Sequence, residues 1–111
     1  MEVTTTQYKH SDLVKVNGRI DSSTAPQLAK TLDDITNVGR YRIILDLVDV
    51  EFMSSAGLRV MLLTYRESTA KNAKMVLVGM KPEIKSSMSS TGFLRFFTAC
   101  DTREAGIEAL R

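Results

Sequence analysis

Residues 42–62 read RIILDLVDVEFMSSAGLRVML. The first six residues form an apolar run broken only by Asp46. Such a run marks a central strand buried on both faces. From about residue 56 to 71 the apolar residues recur at helical spacing. On a wheel of about 100° per residue, Leu58, Met61, Leu62 and Tyr65 share one face, the expected sheet-facing stripe. Arg59, Leu63 and Arg66 share a flanking face, and Val60 lies near Glu67 and Lys71. Leu63 and Val60 are therefore apolar residues outside the stripe. They pack against a neighbouring helix, or they open a docking surface for a partner. Between strand and helix, DVEFMSSAG reads as a loop. A buried strand feeding an amphipathic helix is the repeating unit of an α/β domain.

The flanking sequence extends that unit in both directions. VTTTQY (3–8) is β-branched and polar, as an edge strand is, and DLVKVNG (12–18) alternates with Val14 and Val16 on one face. The KHSD turn between them predicts an antiparallel hairpin. Thr24 and Gln27 have capping-box spacing, and Pro26 sits in the first turn of a helix carrying Ala25, Leu28, Leu32 and Ile35. Asn37 and Gly39 end this helix of about 12 residues. KMVLVGM (74–80) is a second buried strand. Pro82 starts a short helix with Ile84 and Met88, stopped near Gly92. RFFTA (95–99) is a weaker strand, and Asp101 with Glu104 has cap spacing for a closing helix bearing Ala105, Ala109 and Leu110. The expected order is β-β-α-β-α-β-α-(β)-α. This is a single α/β domain with a mixed four- to five-stranded sheet and about four helices. Binding in such sheets gathers beyond the carboxyl ends of the parallel strands. Two loops qualify, IDSST before the first helix and DVEFMSSAG before the second.

Composition narrows the function. With 111 residues the chain is sized for one domain. A net charge of +2, with Lys and Arg scattered, does not suggest nucleic acid. No apolar run approaches the roughly 18 residues of a membrane helix, and MEVTTTQYKH lacks the apolar core of a signal peptide. A lone cysteine, Cys100, has no CxxC partner and reads as a buried structural thiol, so the expected setting is cytoplasmic. His10 is the single histidine and reads as a solvated turn residue, which leaves no histidine-based triad or metal cluster. Neither GxxxxGK[ST] nor GxGxxG occurs, and Asp46 and Asp49 lack an evident acid–base partner. The expectation is a protein that is not an enzyme and takes no cofactor.

Ser54 and Ser55 remain. They stand where a helix N-cap belongs, and a cap hydroxyl stabilises a helix by about 1 kcal/mol. The same position suits a phosphate. A phosphoserine carries roughly −1.5 to −2 charges. Helix N-termini offer free N–H groups and the positive end of the macrodipole. Gly57, without a side chain, is expected to let a partner or its nucleotide approach.

ILDLVDVEFMSSAGLRVML resembles the signature of STAS domains, specifically the bacterial anti-sigma-factor antagonists. VNGRIDSSTAPQL resembles the family's turn into the first helix, MVLVGMKPEI its fourth strand and third helix, and FLRFFTACDTREAGIEAL its C-terminal strand and helix. The resemblance thus spans nearly all of residues 1–111, although stressosome subunits and transporter tails share the fold. It implies a partner switch. The unphosphorylated antagonist binds an anti-sigma factor that is also a serine kinase, and so frees a sigma factor. Phosphorylation of the antagonist breaks the complex, and a metal-dependent serine phosphatase resets it. Carried over by position, the acceptor is Ser55, two residues before Gly57, while Asp21, Ser22 and Ser23 match the first-loop positions that face the same partner. The resemblance and the helix wheel together set the partner-facing residues as Asp21, Ser22, Ser23, Ser54, Ser55, Gly57, Arg59 and Leu63. Two positions depart from the pattern. Ser54 replaces the usual Asp, which makes it a second candidate acceptor, and Ala56 replaces the commoner second Ser. The alternative role is a STAS module that is never phosphorylated and serves as a docking or ligand-sensing part of a larger assembly.

Overall fold

The computed structural model describes all of residues 1–111. The elements are β1 (Glu2–Gln7), β2 (Asp12–Ile20), α1 (Ala25–Thr36), β3 (Ile43–Met53), α2 (Ser55–Ala70), β4 (Met75–Val78), α3 (Pro82–Ser90), a 3-10 turn (Leu94–Phe96), β5 (Thr98–Cys100) and α4 (Arg103–Ala109). The five strands form one sheet in the order β1-β2-β3-β4-β5. β1 runs antiparallel to β2, and every later pair is parallel. This is the mixed sheet and the element order expected from the sequence.

That strand order dictates where the helices go. Each parallel crossover steps to the next strand in the same direction, and right-handed crossovers then place their helices on one face. The larger core accordingly joins Leu28, Leu32 and Ile35 of α1, Leu58 and Met61 of α2, and Ile84 and Met88 of α3 to the sheet. α4 follows the last strand and covers the other face, where Leu110 packs on Leu13, Ile44, Val76 and Val78. Gly106 makes this approach close, because a Cβ there would stand 3.1 Å from Val78 and 3.3 Å from Ile44 and Val76. Ile43–Leu47 of β3 are all buried, as a strand covered on both faces requires. Asp46 is tolerated among them because its carboxylate accepts from Arg103 Nε of α4 at 2.7 Å and from the Val48 N–H at 3.0 Å.

Four sequence expectations are corrected. β3 does not stop at residue 47 but runs on through Met53, so most of DVEFMSSAG is strand. Eleven residues of β3 lie along nine of β2, and the two extra residues are absorbed at register shifts between Lys15/Asn17 and Gly18/Arg19. Bulges break the period-2 pattern, which is why the segment looks like a loop. The Thr24–Gln27 capping box does not form; Thr24 Oγ1 accepts from the Asp21 N–H and donates to the Arg19 carbonyl instead, each at 2.9 Å. RFFTA divides, with Leu94–Phe96 in a 3-10 turn and only Thr98–Cys100 in strand, where Cys100 is half-buried rather than buried. The cap of α4 is Thr102, not Asp101; its hydroxyl accepts from the Ala105 N–H at 3.1 Å, and α4 buries Gly106 in place of Ala105.

On α2, Leu58 and Met61 are buried, and Leu62 and Tyr65 pack against the core as expected. Val60 also packs there, leaving Leu63, 51% exposed, as the apolar residue outside the packed surface. Thr64 and Ser68 are buried as well, a polar pair that hydrophobic periodicity passes over. Thr64 satisfies its hydroxyl on the Val60 carbonyl one turn back, at 3.2 Å.

Candidate functional site

The carboxyl ends of β2 and β3 bring the two serine-containing segments together. Ile20 is paired with Met53 at the end of the ladder, and the Ser54 N–H donates to the Ile20 carbonyl at 2.8 Å. The next residues on the two strands, Asp21 and Ser54, therefore flank one junction. Only Ser54 separates β3 from α2.

Gly57 governs the geometry of this junction. It is buried, and a Cβ there would lie 2.6 Å from Ile20 Cγ2 and 3.0 Å from Met53 Cγ. The first turn of α2 is thus pressed onto the strand ends as closely as a residue without a side chain allows. Gly57 admits the domain's own core rather than a partner, contrary to the sequence expectation. Ser55 stands two residues earlier, about 200° round the helix. Burying Gly57 turns Ser55 outward, and Ser55 is exposed. Arg59 and Leu63 follow at four-residue steps and are exposed too, so the three form a ridge along α2.

Ser54 occupies the N-cap position with extended backbone (φ −85°, ψ 174°), and its carbonyl accepts from the Leu58 N–H at 3.1 Å. Its side chain makes no cap hydrogen bond, and Oγ is buried without any partner. The expected cap bond is absent. Ser54 Oγ is thus withdrawn from the surface, whereas Ser55 is exposed.

The β2–α1 loop is held by Asp21. Its Oδ1 accepts from the Ser23 hydroxyl at 2.7 Å, the Ser23 N–H at 3.0 Å and the Thr24 N–H at 3.1 Å. The Ser23 hydroxyl is the main cause that holds the Asp21 carboxyl below its ordinary value, with the two N–H groups adding to it. Oδ2 makes no hydrogen bond within the chain, so one charged oxygen stays open beside exposed Ser22 and Ser23. Asp21 does locally what the capping box was expected to do, as an Asx-type turn ahead of the helix.

A pair that periodicity does not reveal stands at the same strand ends. The Arg19 guanidinium lies 4.4 Å from the centroid of the Phe52 ring, which is 39% exposed. The two residues are register partners on the α4 face of the sheet, beyond the reach of that short helix. An aromatic residue inside the supposed loop was the available signal. No group of three or more His, Cys, Asp or Glu side chains comes together as a metal site.

The STAS domain family matches residues 3–106. A Bordetella bronchiseptica protein named as an anti-sigma factor antagonist, BtrV, is 33% identical over 96 residues, covering 86% of this chain and 83% of its own. Among solved structures, a Thermotoga maritima protein named as an anti-sigma factor antagonist superposes with a TM-score of 0.93 at 22% identity, covering 98% of this chain and 94% of that one. The anti-sigma factor antagonist SpoIIAA in its unphosphorylated form gives 0.80 at 19% identity over 99% and 98% of the two chains. Its phosphorylated form gives 0.78 at 19% over 99% and 100%. These three structural likenesses concern the fold, while the family match and the sequence match carry the relationship: the chain belongs to the STAS domain family.

Proposed function

We propose that this chain is an anti-sigma factor antagonist switched by phosphorylation of Ser55. The carrying observation is the exposed Ser55 at the start of α2, in line with exposed Arg59 and Leu63 and one residue after the Ser54 that bonds to the end of β2. The names of its relatives support the class of partner, and SpoIIAA is known in phosphorylated and unphosphorylated forms. In the unphosphorylated state the surface formed by Asp21, Ser22, Ser23, Ser55, Arg59 and Leu63 docks on an anti-sigma factor with serine kinase activity, and a sigma factor is released. The kinase transfers the γ-phosphoryl group of ATP to Ser55 Oγ: the new O–P bond forms as the bond from the γ-phosphorus to the bridging oxygen breaks, ADP leaves, and the hydroxyl proton goes to solvent or a kinase base.

The fold accepts this phosphate without unfolding. It sits at the N-terminal turn of α2, whose first turn carries no acidic side chain, and Arg59 lies one turn on. The added charge and bulk fall instead on the docked partner, beside the open oxygen of Asp21. A serine phosphatase restores the binding form.

The test mixes the chain with candidate anti-sigma factors of the serine-kinase type, with and without ATP. One phosphate is expected on Ser55, and Ser55→Asp is expected to weaken binding at least tenfold, while Ser55→Ala binds but is not modified. Unchanged binding of Ser55→Asp sinks the mechanism and favours the unswitched docking module.

A further inference from the structure

The opposite pole of the sheet holds a second concave site. Three connections line it, the β1–β2 turn with Lys9 and His10, the α1–β3 segment with Arg40, Tyr41 and Arg42, and the α2–β4 segment with Lys71. The cavity is about 250 Å³.

Its charge is out of proportion to its size. Lys9, Arg40, Arg42 and Lys71 against the single carboxylate of Asp12 give a formal +3, whereas the whole chain carries +2. The rest of the molecule is net negative, so the positive surplus is gathered at this pole.

The floor is a fixed cation. Arg40 is paired through Nε with Asp12 Oδ1, and its Nη2 donates to the Tyr8 carbonyl at 2.7 Å and the Ser11 carbonyl at 3.4 Å. Its side chain is only 28% exposed, yet Nη1 has no partner within the chain. Asp12 is already neutralised by this contact and does not cancel the outer cations. Those cations, Lys9, Arg42 and Lys71, are exposed and form no ion pair within the chain. Lys71 Nζ lies 5.8 Å from the Tyr41 ring centroid, which puts an aromatic wall beside the cationic one.

We propose that this cavity binds a compact polyphosphate, either free or as the head of a nucleotide. A guanidinium fixed by its own hydrogen bonds offers an oriented donor to phosphate oxygens, and flexible Lys and Arg side chains close over the charge. The volume lies below the roughly 300–1,000 Å³ of drug-sized pockets, which favours a small, highly charged group. β3 begins beside this cavity and ends at Met53, so roughly 30 Å of strand separates it from the Ser55 site. The two sites are therefore testable apart.

The experiment titrates the isotope-labelled full chain with sodium pyrophosphate and, separately, with ATP at low salt, following amide shifts by NMR. Shifts are expected at residues 9–12, 39–42 and 71–73, with a dissociation constant below about 1 mM. Arg42→Ala with Lys71→Ala should weaken binding at least tenfold, whereas Arg66→Ala with Lys85→Ala, which removes equal charge outside the cavity, should not. Equal affinity for pyrophosphate and ATP assigns the site to the phosphates alone. Tighter ATP binding that falls with Tyr41→Ala assigns it to a nucleotide. Shifts scattered over the surface, or equal losses in the two double variants, overturn the proposal. Ser55→Asp should leave this binding unchanged, so failure of the switch and failure of this site are separate results.

Discussion

Ser54 and Ser55 are neighbours with opposite environments, and single substitutions distinguish them. A serine that caps a helix loses about 1 kcal/mol on replacement by alanine. Ser54 makes no cap bond and buries an unpartnered hydroxyl, which costs about 1–3 kcal/mol while it remains. Ser54→Ala should therefore be neutral within about 0.5 kcal/mol or stabilising in urea denaturation. A clear loss would mean that the hydroxyl caps α2 in solution. Asp21 gives a pH signature. Its carboxyl is held below the ordinary value of 3.8 in the folded chain, so its ionised form favours folding. That contribution is complete above 3.8 and fades as pH falls through the lower folded value. The stability difference between wild type and Asp21→Asn should shrink across this acid window. A difference that is flat with pH contradicts it.

At the scale of elements, β3 and α2 show what fixes the site. Gly57→Ala gains up to about 1 kcal/mol in helix propensity. Against this, its Cβ would stand 2.6 Å from Ile20, which is fully buried and has nowhere to move. Overpacking of this kind costs about 1–3 kcal/mol, so a net loss of about 1–2 kcal/mol is expected by denaturant titration. The variant should also bind the anti-sigma factor less well, because the first turn of α2 must lift. α4 depends on a different contact. Arg103→Ala would leave the Asp46 side chain, 2% exposed, with the Val48 N–H alone. Removing one partner of a fully buried pair costs about 3–5 kcal/mol, and because Arg103 is 42% exposed about 2–3 kcal/mol is expected. Lys30→Ala breaks a pair whose side chains are 77% and 64% exposed, and should cost under about 0.5 kcal/mol in the same assay.

For the whole molecule, the sequence and the tertiary structure divide the work along physical lines. Local signals are readable wherever one residue's own chemistry decides. The apolar run at 43–47 is a central strand because nothing polar but Asp46 interrupts it, and α1 is marked by its spacing and by Pro26. The order of elements, with right-handed crossovers, then determines three helices on one face and one on the other. The nearness of IDSST to MSSAG follows as well, since both leave the carboxyl ends of adjacent parallel strands. What the sequence leaves open depends on packing between distant residues. The bulges of β3 exist only in relation to β2, and they hid six residues of strand and the Arg19–Phe52 pair. Whether a serine caps or lies orphaned depends on the wall it meets, and only the seating of α2 on Ile20 sends Ser54 inward and Ser55 out. Lys9, Arg42 and Lys71 are scattered along the chain and become a cationic pole only when three connections meet. The sequence by itself thus determined the family, the element order and the pair of candidate hydroxyls, because these are local patterns. The opposite exposure of the two hydroxyls, and the concentration of charge at the far pole, were decided by long-range contacts that no local pattern encodes.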